Sequence, residues 1–408
     1  MTDTVETHDA PTRRDYLTYG GAVIGAGLLA GCAGDSPAAT STSGEQPTTG
    51  QPTETESSRY TASMEPVGDL TLESIPERWI AYDGGYADMG VALGKGDGMT
   101  GIGGAGRYYT QVYDELPGVS VDRDLLETND LGEAGMSKEL FYELDNDVHV
   151  MDPQMLINWF DWSEADVAEI TENVGPFFGN LIFRREDEWH DYRYYTLYEA
   201  FEKVAHLFGE QERYAAFEAL HDEFIATIQT NLPPADDRPN VLLVYEGSNE
   251  PEEFSPYRLN DQGTSKKQWH DLGVSDALAG TGIQGLSTTD RGRIDYETML
   301  EIDPDVIMLR AHERQSAAEF RDTVLAFMQE HSVARELTAV QNEQVYRGGY
   351  LFQGPIHNLF LTERGAQQLY PDVFGEEDGD EQLFDRQRVA DIVAGDVSRP
   401  QLRERPES

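Results

Sequence analysis

"SKELFYELDNDVHVM", residues 137–151, and "DYETMLEIDPDVIML", residues 295–309, are two versions of one phrase. Both carry glutamate at the third and seventh places, then Asp-x-Asp-Val and an apolar run. Five of the fifteen positions are identical, but four of those five are acidic, and acidic matches are cheap in a chain with 76 Asp and Glu. The match therefore needs independent support. "RWIAYDGG" (78–85) and "NVLLVYEGS" (240–248) supply it, since each is a short apolar run that stops at Tyr-acid-Gly. The first pair begins 158 residues apart (295 − 137), and the tyrosines of the second lie 163 apart (245 − 82). Two echoes in one order and at nearly one offset predict two βα lobes of similar plan.

Around these anchors, "RWIAY" reads as a buried strand meeting a turn, and "YADMGVALG" as a helix capped by Gly94. "GMTGIGG" reads as a second strand, "SKELFYEL" as a short helix and "DVHVM" as a third strand. Strand alternating with helix predicts an α/β class with parallel βαβ units. Between the lobes the pattern turns helical, and Phe217, Leu220, Phe224 and Ile228 fall on one stripe of a helix over 210–231. At 1.5 Å per residue that helix is about 30 Å long, enough for a rigid connector. The resulting organisation is a first lobe over 67–209, the connecting helix, a second lobe over 232–396 and a disordered tail over 397–408.

The N-terminus adds a location. Arg13-Arg14 followed by "YLTYGGAVIGAGLLAGC" reads as a twin-arginine export signal over 1–32, too short and glycine-rich for a spanning helix. Leu29-Ala30-Gly31-Cys32 has the form of a lipobox, with Cys32 as the lipid-anchored residue. Residues 33–66, rich in Ser, Thr and Pro, are expected to be a flexible tether. Cys32 is the sole cysteine, so no disulfide forms within one chain. The formal charge of −46 arises from 76 acidic against 30 basic residues, of which five are lysine. Such a surface suits near-saturating salt, where charges are screened within about 3 Å at 1 M. It excludes a nucleic-acid partner, because no basic face can neutralise phosphates.

No catalytic constellation is present. The nine histidines show no H-x-x-x-H or H-E-x-x-H spacing, and neither a G-x-S-x-G elbow nor a P-loop occurs. Gly101 to Gly106 fits G-x-G-x-x-G, but no convincing strand feeds it, so these are read as turn glycines. The chain is expected to be no enzyme and to need neither metal nor cofactor. In open α/β sheets ligands sit at the carboxyl ends of strands. That rule nominates Asp83 and Tyr86, Arg107 and Tyr108, Tyr257 and Arg258, Arg310 and His312, and Tyr350 and Phe352.

The lipobox, "IPERWIAYDGGYADMGVALGKGDGMTGIGG", the long helix before "RPNVLLVYEGS", "DYETMLEIDPDVIML" and "LTAVQNEQVYRGGYLFQGP" together resemble the cluster III substrate-binding lipoproteins of ABC importers for iron–siderophores, heme and cobalamin. The resemblance covers roughly 70–396 and, with the acidity, is that of a haloarchaeon-like halophile. It implies two Rossmann-like lobes joined by a single rigid helix, a ligand cleft between them, and an exported protein anchored on the outer face of the cytoplasmic membrane. The implied partners are a permease dimer with its ATPase subunits and a metal chelate. A ferric siderophore is preferred, with cobalamin or heme as the rivals and a surface enzyme or sensor as the other class. In that family one exposed glutamate per lobe docks on the permease eight residues before an aspartate. Glu139 before Asp147 and Glu297 before Asp305 match. The first copy departs from the family in carrying Asn146 where proline is usual.

Overall fold

In a computed structural model the chain is described over residues 59–185, 187–260, 263–283, 292–377 and 379–398. The export signal, Cys32 and most of the tether and tail lie outside the described residues. The tether gives way before 66: strands β1 (Tyr60–Met64) and β2 (Gly68–Leu72) pair antiparallel. The reason is local, because Ala62 and Met64 alternate inward and are buried while Thr61 and Ser63 face out.

The first lobe is built on β3 (Trp79–Ala81), β4 (Met99–Ile102) and β5 (Val148–Val150), parallel in the order β4-β3-β5. Single parallel bridges, Ile102 with Asp130 and His149 with Phe177, widen it at both edges. The second lobe holds β6 (Asn240–Tyr245), β7 (Ser255–Tyr257), β8 (Ser275–Asp276), β9 (Val306–Arg310) and β10 (Val345–Arg347). Its order is β10-β9-β6-β7, all parallel except β7, with β8 pairing parallel to the start of β6. The fold is thus α/β, with one parallel and one mainly parallel sheet beside the small β1–β2 hairpin. Helix Gln211–Asn231, 21 residues, runs between them with Phe217, Phe224 and Ile228 buried.

The repeated phrase has one structural meaning in both places. Helices Lys138–Leu144 and Tyr296–Ile302 each stop at a left-handed aspartate, Asp145 at φ 46° and Asp303 at φ 47°. The next aspartate ties the strand that follows to the sheet's neighbouring strand. Asp147 Oδ2 accepts the amides of Glu77 and Arg78 at 2.8 and 2.9 Å, and Asp305 Oδ2 accepts that of Asn240 at 2.9 Å. Between them sits a buried residue. Pro304 is apolar, whereas Asn146 offsets part of the cost of burial by accepting the Thr100 hydroxyl at 2.7 Å, its Nδ2 remaining without a partner among the described residues.

The lobes are not separate bodies. One buried cluster runs from Trp79, Ala81 and Phe201 through Phe217 on the connecting helix to Leu243, Trp269 and Met308. Helix Pro355–Leu369, which follows β10, packs on helix Gly84–Ala92 of the first lobe. The approach is close enough that a Cβ on Gly354 would lie 2.5 Å from the Gly85 carbonyl and 2.6 Å from Asp88 Oδ2. Asp88, fully buried, therefore caps the other lobe's helix: it accepts the His357 amide at 3.0 Å and the Tyr113 hydroxyl at 2.7 Å.

Candidate functional site

Parallel strands end their chains on one side, and the loops leaving β3, β4, β9 and β10 meet there across the lobe boundary. Tyr82 closes β3 and Tyr245 closes β6, the two tyrosines of the Tyr-acid-Gly echo. Tyr109, on the loop after β4, stacks on Tyr350 of the loop after β10, with ring centroids 4.6 Å apart and planes 19° apart. Arg314, after β9, stands 5.7 Å over the Tyr109 ring and donates to the Gly106 carbonyl at 3.3 Å. Arg107 and Tyr245 complete this group, since both act electrostatically on the Tyr109 hydroxyl. Burial first, with help from Glu313 and Tyr245, pushes that hydroxyl up to about 12, while Arg314 and Arg107 pull it down.

Beside it lies an aromatic wall. Tyr82 meets Trp159, Phe160 and Phe352 at 6.1–6.3 Å, and Trp159 in turn meets Phe183 and Trp189. The Arg184 guanidinium covers the Trp159 ring at 4.2 Å and is held by Asp187 at 2.6 Å. Burial pushes the Tyr82 hydroxyl up to about 12, Asp83 adds to this, and Arg107 and Arg184 oppose it.

The charges decide the character of the place. Among the described residues neither Arg107 nor Arg314 pairs with a carboxylate, although the chain carries a formal charge of −46. Two uncompensated guanidiniums beside three tyrosines form a cationic spot in an acidic protein, suited to an anionic or oxygen-rich ligand.

Of the residues nominated from sequence, Arg107 is exposed here and Tyr350 and Phe352 build the floor. The others turn inward. Asp83 caps helix Gly84–Ala92 by accepting the Gly85 and Tyr86 amides, and burial raises its carboxyl to about 6. Tyr86 bonds the Asn180 carbonyl at 2.8 Å, and Tyr108 bonds the Tyr113 hydroxyl at 2.7 Å, both from the interior. Arg258 is spent on the carbonyls of Leu278 and Ile283. Arg310, buried, reaches the Ser265 carbonyl and lies 5.1 Å over the Tyr257 ring. His312 Nε2 sits 2.8 Å from the Glu246 carbonyl, and burial holds its pKa below the ordinary value. The strand-end rule does not single out Tyr82, Tyr109, Arg184, Tyr245 or Arg314. For Tyr82 and Tyr245 the signal was present, because the echo itself marks them as equivalent strand ends.

A strand does feed the glycine run, contrary to the expectation from sequence, but no helix N-terminus follows it to hold a phosphate. Ala105 donates its amide to Asp130 Oδ2 at 2.8 Å, Gly103 donates to the Ala81 carbonyl at 2.9 Å, and only the turn Ala105–Arg107 follows. A Cβ on Gly103 would lie 2.5 Å from the Tyr82 carbonyl, so packing requires the glycine. Glu139 and Glu297 are both exposed in the first turn of their helices. The Ser137 hydroxyl, bonded to Glu139 at 2.5 Å, holds that carboxyl below its ordinary value.

Two α/β lobes with a helix between them, and strand ends that meet at their boundary as a candidate recognition surface, have the architecture of a two-lobe binding protein. A family model described as "Periplasmic binding protein" matches residues 80–349, and the chain belongs to that family. Among solved structures the fold is similar to Helicobacter pylori CeuE with Ni(II) bound (TM-score 0.52, 14% identity, 77% of this chain and 90% of that one). It is also similar to the petrobactin-binding protein YclQ of Bacillus subtilis (TM-score 0.51, 14% identity, 82% and 98%). A third likeness is to PiuA, the substrate-binding protein of an iron-uptake ABC transporter in Streptococcus pneumoniae (TM-score 0.50, 15% identity, 76% and 99%). No curated protein matches the sequence.

Proposed function

We propose that this protein captures an anionic ferric chelate, a ferric siderophore, outside the cytoplasm and delivers it to an ABC permease from a lipid anchor at Cys32. The observation that carries this reading is the pair Arg107 and Arg314, without carboxylate partners among the described residues, set among Tyr82, Tyr109 and Tyr245 where the two lobes meet. The likeness to PiuA, of an iron-uptake transporter, and to YclQ, a petrobactin-binding protein, supports it by analogy. Glu139 and Glu297 are the matched contacts proposed for the permease. Lobes that share one buried cluster deliver ligand by small adjustments rather than by a wide hinge.

The test is a tryptophan-fluorescence titration in molar salt with an anionic ferric tris-catecholate, a neutral ferric hydroxamate, heme and cobalamin. Trp159 and Trp189 line the aromatic wall and should be quenched. Changing Arg107 and Arg314 together to Gln removes two charge-assisted contacts at about 1.5–3 kcal/mol each, a loss of about 100-fold or more. Preference for heme or cobalamin over both iron chelates would defeat the ligand assignment.

A further inference from the structure

The residue next to Arg314 faces the opposite way. Glu313 is buried, with a side-chain exposure of 0%. Its Oε1 accepts the Gly349 amide at 2.7 Å and its Oε2 accepts Arg364 at 2.6 Å. Both partners belong to one column that crosses the lobe boundary. Arg364 lies 6.0 Å over Tyr350, Tyr350 stacks on Tyr109 at 4.6 Å, and Arg314 stands 5.7 Å over Tyr109. Glu313 therefore grips the column at both ends: it bonds Arg364 directly, and it is the chain neighbour of Arg314.

The loop that carries it needs holding. Ala311, a residue with a Cβ, sits at φ 86°, a sparsely populated conformation that persists only where its surroundings enforce it. His312 is tied to the Glu246 carbonyl at 2.8 Å, and the Gln315 carbonyl accepts Arg347 at 2.5 Å. Among the side chains of residues 311–315, only that of Arg314 makes a described bond to the first lobe.

We propose that Glu313 is a positioning residue of the cleft: its buried carboxylate fixes the strained loop and the Arg364–Tyr350 end of the column, so that Arg314 is aimed across the lobe boundary at the ligand. This rests on the cleft proposed above, and the test separates the two. One arm needs no ligand: labelling of arginine by phenylglyoxal, followed residue by residue by mass spectrometry. In Glu313→Gln the labelling rate of Arg314 should rise several-fold while that of Arg107 stays unchanged. The second arm is binding of the ferric tris-catecholate. Glu313→Gln should weaken it about tenfold, the worth of one charge-assisted contact, and should have no further effect in an Arg314→Ala background. A purely structural glutamate would instead cost the same in both backgrounds. Unchanged Arg314 labelling, or an equal loss in the Arg314→Ala background, overturns the proposal. Failure of the unmodified protein to bind the chelate defeats the proposed function and leaves the labelling arm to decide the positioning. Should Glu313→Gln not fold, Arg364→Gln removes the cation that holds the carboxylate and is read by the same two measurements.

Discussion

Replacing Asp88 tests how the two lobes are held. Its carboxylate accepts the Tyr113 hydroxyl from its own lobe and the His357 amide at the start of helix Pro355–Leu369. Asp88→Ala leaves two buried donors without that acceptor, each worth about 1–3 kcal/mol, so the expected loss is about 2–6 kcal/mol. Tyr113 has partial relief through its 2.7 Å contact with Tyr108, which places the loss nearer the lower half of the range. Asp88→Asn behaves differently. Its oxygen can serve the His357 amide while its NH2 faces the Tyr113 oxygen, which then gives its own proton to Tyr108. Asparagine also carries no charge, and burial holds the Asp88 carboxyl above its ordinary value even though His357 and Tyr113 oppose it. A raised folded-state pKa means that the folded protein binds the proton more tightly. The cost of the ionised carboxylate is therefore absent at low pH and appears as pH rises through the folded value. Asp88→Asn should then lie within about 1 kcal/mol of the unmodified protein at neutral pH and compare less favourably as pH falls. Urea unfolding in molar salt, followed by the fluorescence of buried Trp79, measures both, and the shared core makes one cooperative transition the expectation. Asp88→Ala within about 1 kcal/mol, or Asp88→Asn as damaging as Asp88→Ala, would refute the reasoning.

Two further outcomes are expected. Asp145→Gly and Asp303→Gly remove the cost of a left-handed conformation at each helix end and should each stabilise by about 0.5–1 kcal/mol in the same unfolding assay. A loss at either position would show that the aspartate side chain matters there. His149 is buried between Phe141 and Phe177, and burial lowers its pKa from 6.5 to about 4. The folded state thus binds this proton less well than the unfolded chain, and stability present above pH 6.5 is lost as pH falls toward 4, about 3 kcal/mol in all. His149→Leu should remove that share of the acid lability; an unchanged pH profile would mean that other groups carry it.

What the sequence by itself determined is local and repeated. The apolar runs, the Tyr-acid-Gly ends and the doubled Asp-x-Asp-Val are all short-range signals, and each folds by rules that act within a few residues. Asp145 and Asp303 end helices because turn chemistry depends on immediate neighbours, whereas the ties of Asp147 and Asp305 reach partners 70 and 65 positions away and form only once the strands are paired. The tertiary structure decided which of the residues at each strand end reach the cleft. Side chains alternate across a strand, so one step separates Tyr82 at the aromatic wall from Asp83 capping a helix. Four steps separate buried Arg310 from Arg314, which reaches the other lobe. That last contact joins positions 208 residues apart, and the Tyr109–Tyr350 stack spans a similar separation. Pairs so distant leave no periodicity or spacing in the chain; only the packing of one lobe on the other brings them together.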